Sequence, residues 1–185
     1  MKKVLLTASL IFAGLTSGNA QEFQLGAKAG INFASITGDN TSDITPITEF
    51  PSFGLVAEIP FSEKLSFQPE LMYSAQGFDT NDDLVSLNYL TIPLMAKYYV
   101  AKGLSIEAGP QFGYLLSAKQ EENDVDDSFN SIDLGVNFGL GYKLENGLNF
   151  GARYNLGLSN INDADELDDK NRNGVFQIYV GFFFW

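Results

Sequence analysis

The chain has neither cysteine nor histidine among its 185 residues, and a single tryptophan, Trp185. Without cysteine, an exported protein of this sequence does not rely on disulfides for its stability. Without histidine, the commonest general base is missing, which weighs against acid–base catalysis. Long apolar runs are scarce too. After the first twenty residues no stretch of 18 apolar residues occurs, so helical membrane spans are excluded on length. Basic residues are outnumbered, 11 against 23 acidic, for a formal net charge of −12.

The first twenty residues, MKKVLLTASLIFAGLTSGNA, stand apart. A basic start at Lys2 and Lys3, an apolar stretch from Val4 to Leu15, and small residues at Gly18 and Ala20 have the layout of a secretory signal peptide. Cleavage is expected after Ala20. A membrane-anchoring helix is the alternative, but the stretch is short for a span and is interrupted by Thr7, Ser9 and Gly14. The expected organisation is a signal peptide at 1–20 and one domain at 21–185. That domain carries 9 basic against 23 acidic residues, a net charge of −14. Nucleic acid is therefore excluded as an expected partner.

What the chain does contain is alternation with a period of two. In FQLGAKAGINF the odd positions from Phe23 to Phe33 are apolar, while the even ones are polar or glycine. Eight such runs fall at about 22–36, 50–61, 65–78, 87–100, 104–117, 131–144, 148–159 and 174–185. Their connections alternate between long and short: GDNTSDITPIT then SEK, DTNDDLVS then AKG, SAKQEENDVDDSFN then ENG. The pattern predicts an all-β fold, an eight-stranded antiparallel up-and-down β-barrel with short turns at one end and long loops at the other. Runs of this length exceed the usual globular strand and suffice to cross a bilayer when tilted. Pro69, Pro93 and Pro110 fall in the middle of three runs, where strands disfavour proline, and they predict bulges there.

Periodicity alone does not say which face is inside; composition does. The apolar face collects Phe53, Leu55, Leu90, Ile92, Phe138, Leu140, Phe150 and Tyr154 among many other bulky groups. An eight-stranded barrel has an interior just wide enough for side chains, so this face would overfill it. The opposite face is rich in glycine and holds Lys28, Lys97, Lys143 and Arg153 against Glu58, Glu70, Glu107 and Asp133. Four positive and four negative groups in a strongly acidic chain suggest pairing in a confined space, where an unpaired charge is costly. The polar face is expected inside and the apolar face against lipid: a transmembrane barrel with a polar interior. The closing strand FQIYVGFFFW then points Phe176, Ile178, Val180, Phe182 and Phe184 at lipid, with Trp185 suited to the membrane boundary. An even strand number puts both termini at the short-turn end, expected to be periplasmic, and the acidic loops outside.

The runs EIPFSEKLSFQPELMYSAQGF, LNYLTIPLMAKYYV and GLNFGARYNLGLSNI resemble the Bacteroidetes-type outer-membrane β-barrel family that includes PorT-like proteins. The resemblance spans nearly the whole of 21–185 and implies the barrel fold and the outer membrane of a Gram-negative bacterium. It also implies that barrel-assembly machinery reads the aromatic C-terminus. Gly181 departs from that signal, sitting one residue later than the usual spacing to the end. A link to other envelope or secretion proteins is a further implication.

Candidate chemistry is thin. Asp169, Asn171, Asn173 and Gly174 fit the first half of a calcium-binding EF-hand loop, but the twelfth position is Val180 instead of glutamate. No metal or cofactor is expected. Acidic clusters at Asp79/Asp82/Asp83, Glu121/Glu122/Asp124/Asp126/Asp127 and Asp163/Asp165/Glu166/Asp168/Asp169 read as hydrated surface, or as groups that divalent ions bridge to lipopolysaccharide phosphates. The inward charges read as a salt-bridge plug in preference to a catalytic carboxylate pair, because no nucleophile lies beside a base. The expectation is a plugged barrel without catalytic activity, structural or binding through its loops, in contact with outer-membrane lipids. A narrow pore, a secretion accessory and a secreted lipocalin-like barrel with its apolar face inward are the alternatives.

Overall fold

The computed structural model describes residues 23–38, 48–79, 84–120, 123–124, 130–159 and 171–184. The expected signal peptide, Asp169 and Trp185 lie outside the described residues. Eight long strands form: β1 Gln24–Gly38, β2 Thr48–Pro60, β3 Leu65–Asp79, β4 Leu84–Tyr99, β5 Leu104–Gln120, β6 Ile132–Lys143, β7 Leu148–Gly157 and β8 Asn171–Phe183. Each pairs antiparallel with the next, and β8 pairs back onto β1 from Gly26↔Phe183 to Gly38↔Asn171, which closes the barrel. Asn123–Asp124 folds back onto the end of β5. Closure removes the free edges that an open sheet of this length would expose.

The alternation determines the faces. Leu55, Phe138, Leu140 and Ile178 point outward and are more than half exposed, while Asn32, Glu58, Met95 and Glu107 are buried inside. The apolar-inward, lipocalin-like alternative is thereby overturned. Glycine and medium polar groups fit the narrow lumen, and the bulky apolar set does not.

The prolines correct one expectation. None of them produces a bulge. Pro69, Pro93 and Pro110 each keep a partner on one side, Leu94, Gln111 and Val136 respectively. Each leaves a two-residue gap in the ladder toward the preceding strand, and the register resumes unchanged beyond it. A strand residue sends its N–H toward one neighbour only, so a missing donor weakens one seam and leaves the other intact. The register shift lies elsewhere: Asn88 faces Ser117 while Tyr89 faces Leu115, so Leu116 is the extra residue.

The short turns tie the opposite end. Gly103 and Gly147 have φ of 78° and 90°, a conformation disfavoured for residues with a Cβ. Replacing either by alanine is expected to cost on the order of 1 kcal/mol or more, read as a lower unfolding midpoint in detergent. Lys102 and Glu145 pair across neighbouring turns. Their hydrogen bond raises the Lys102 ammonium and lowers the Glu145 carboxyl. Both side chains lie in solvent, where such pairs contribute little.

Candidate functional site in the barrel interior

Inward-facing side chains stack in layers from the turn end to the long-connection end. The turn-end half is ionic. Arg153 on β7 donates from Nη1 to Glu70 Oε2 at 3.0 Å and from Nη2 to Glu70 Oε1 at 2.9 Å, a bidentate contact, and also reaches Glu107 Oε2 at 3.1 Å. Lys28 Nζ donates to Glu70 Oε1 at 2.7 Å and lies 4.0 Å from the centre of the Tyr179 ring. Lys97 Nζ sits 3.4 Å from Glu107 Oε1 and 3.6 Å from Glu58 Oε2. Lys143 Nζ donates to Glu58 Oε2 at 2.8 Å and to Gln24 Oε1 at 3.0 Å. The planar guanidinium suits the central place, because its fork matches two carboxylates at once.

Seven of the eight residues expected to pair are therefore one connected cluster: Lys28, Glu58, Glu70, Lys97, Glu107, Lys143 and Arg153. Asp133 is not part of it. Its Oδ1 accepts from Ser159 Oγ at 2.9 Å, near the long-connection end of β6. The expected balance of four against four is thus corrected: the cluster holds four cations and three carboxylates. All eight side chains share one face, but face alone does not determine height along the axis.

Four members were not anticipated. Tyr99 Oη donates to Glu58 Oε1 at 2.6 Å, Tyr179 Oη stands 3.2 Å from both Glu107 oxygens, and Gln68 bridges Glu70 and Lys97. Gln24 caps Lys143. Their inward parity was the available signal: Tyr99 follows Lys97 by two, and Tyr179 alternates with the lipid-facing Ile178 and Val180. Glycine makes room for these rings, since a Cβ at Gly151 would stand 2.5 Å from the Tyr179 hydroxyl.

Above the ions lies a neutral layer. Asn155 donates to Asn137, which donates to Gln111, and Gln177 bridges Asn32 and Ser52. A cavity of about 20 Å³ opens here, lined by Asn32, Ser74, Gln76, Gln111, Asn155 and Gln177, with Glu70 and Arg153 below. At the long-connection end Val85, Leu87, Tyr89, Leu115 and Ala118 form a buried apolar cluster.

This arrangement pairs charge within the barrel and leaves Lys143 alone among its seven members partly exposed. Glu58, Glu70 and Glu107 are each engaged by cations, with no nucleophile beside a free base. Among the described residues no group of three Asp or Glu is placed to hold a metal. Asn171, Asn173 and Gly174 in β8 pair with Gly38, Ile36 and Ser35 of β1, so these three residues of the half EF-hand pattern lie in a strand. Phe176, Ile178, Val180, Phe182 and Phe184 all project outward, as the alternation required.

A family model described as "Outer membrane protein beta-barrel domain" matches residues 19–163. No curated relative matches in sequence. Among solved structures, Neisserial surface protein A is 18% identical over 90% of this chain and 100% of its own, with a TM-score of 0.55. Ail, the attachment invasion locus protein of Yersinia pestis, is 13% identical over 89% and 100%, with a TM-score of 0.54. At such identities the likeness concerns the fold alone.

Proposed function

Because the chain belongs to the outer membrane protein beta-barrel domain family, we propose that it is a closed, non-catalytic barrel of the Gram-negative outer membrane, whose interior ions are a structural plug. The observation that carries this reading is the seven-residue ionic cluster: the side chains of Glu58, Glu70 and Glu107 are 0% exposed, and each contacts cations from other strands. A plug of this kind joins β1, β2, β3, β4, β5, β6 and β7 across the lumen, and on this reading it blocks the passage of ions. Work on the outside then falls to the long acidic connections, which meet lipid headgroups, lipopolysaccharide or another envelope protein. Residues 1–20 are removed on export, the termini face the periplasm, and the aromatic closing strand is read by the assembly machinery. A Bacteroidetes-type, PorT-like secretion accessory is the narrower version of this role.

Gel mobility of membrane fractions, with and without boiling, tests the reading, together with conductance of the purified barrel in a planar bilayer. Fast migration that slows only on boiling, with no steady current, is the expected result. Recovery in the soluble periplasmic fraction, or a stable ohmic current, would refute it.

A further inference from the structure

The ions close one half of the lumen, yet the apolar cluster at the other end has no part in that plug. Val85, Leu87 and Tyr89 on β4 and Leu115 and Ala118 on β5 point inward at the end away from the short turns. Leu87 and Tyr89 are 1% exposed, so their side chains are packed away from solvent inside the barrel. Val175 on β8 and Ala34 on β1, paired with each other on strands across the barrel from β4 and β5, are also buried. Between this layer and the ions lies the cavity of about 20 Å³, lined by amide and hydroxyl groups such as Asn32, Ser74 and Gln76 together with the apolar Met72, Pro93 and Val175. Gln76 Oε1, Asn155 Oδ1 and Arg153 Nε, all on residues lining it, are buried without a protein partner. A space of this size with three unpartnered polar atoms on its lining residues can hold water, and these atoms are the partners water needs.

We propose that the apolar layer is a second seal in series with the ionic cluster, enclosing a water-holding chamber between the two. The two seals work by different physics. The ionic cluster blocks by filling the lumen with paired charge. The apolar layer blocks because an ion entering it would exchange its hydration for hydrocarbon, as in hydrophobic constrictions that gate by dewetting. Asp133 on β6, held by Ser159 and outside the ionic cluster, lies beside Tyr89 across Gly113, so one carboxylate borders the apolar layer. The inference rests on the closed-barrel reading and adds residues to it that the ionic plug does not involve.

Because the chain has no cysteine, a single thiol at Ser74→Cys reports directly from the chamber, where Ser74 lines the cavity. Silver ion is applied to the folded barrel in detergent, and the thiol remaining is counted after denaturation. With the apolar layer intact, silver reacts slowly. In the Leu87→Ser, Leu115→Ser background the rate rises at least tenfold, whereas Leu90→Ser, which alters a lipid-facing neighbour, leaves it unchanged. Leu87→Ala, Leu115→Ala serves if the serine pair fails the gel-mobility check for folding. Equal rates in the parent and the layer variant, whether both fast or both slow, overturn the second seal. A planar-bilayer measurement on the same parent separates the two levels: a silent barrel with fast silver access loses the apolar seal and keeps the ionic plug, while a conducting parent loses both.

Discussion

Glu70→Gln lowers the unfolding midpoint of the detergent-folded barrel far more than Arg153→Gln does. The reason is the charge count within the cluster. Glu70 accepts both guanidinium arms of Arg153 and the ammonium of Lys28, and its removal leaves four cations facing two carboxylates in the buried interior. Removing one partner of a buried pair costs about 3–5 kcal/mol, because the charge left behind is uncompensated. Removing Arg153 instead leaves three cations and three carboxylates, with Glu70 still held by Lys28 and Glu107 by Lys97. Lys28→Met should be the mildest of the three, since it also yields three against three and keeps the bidentate pair. Urea titrations monitored by gel mobility give the ranking. Should Arg153→Gln prove the most damaging, the guanidinium's geometry outweighs the charge count and the plug is held by one fork instead of by balance.

Ile178→Arg is expected to cost about 2–4 kcal/mol when the barrel is folded into lipid vesicles, the penalty for a cation near the bilayer midplane on a lipid-facing position. Ile178 is 51% exposed on the outer wall and pairs with Ala152 and Ile31, at the level next to Arg153 and Gln177 inside. The same substitution on a water-facing strand would be close to neutral. Equilibrium folding of the two proteins into vesicles of matched thickness is the measurement. A neutral outcome would mean that this wall does not meet hydrocarbon.

Much of this was legible before any coordinates. The eight runs and their inward parity follow from a period of two, and a one-residue slip would have put Arg153 and Glu70 in lipid. Axial height was not legible. It depends on how far each strand is staggered against the next, which pairing sets and alternation does not. Asp133 therefore looked like a member of the ionic set and is not, and four against four became four against three. Tyr99 and Tyr179 were overlooked for a chemical reason: aromatic residues dominate the outer wall, so two of them facing inward as hydroxyl donors broke the pattern of composition while obeying that of position. At the prolines, a single missing donor was expected to shift the register. The neighbouring pairs on either side of each gap instead hold the frame, because the 7, 13 and 13 paired positions along the three seams outweigh one lost bond in each.

The closing seam also separates events in time. Every other pair of strands is joined through one intervening connection, so each hairpin can form after a short diffusive search. The β1–β8 seam brings Asn32 against Gln177, 145 residues apart. Its loop entropy is the largest in the molecule and is recovered only once the intervening hairpins stand side by side. Closure is then the last and slowest step of folding, and the seam between first and last strands is where the finished barrel begins to open.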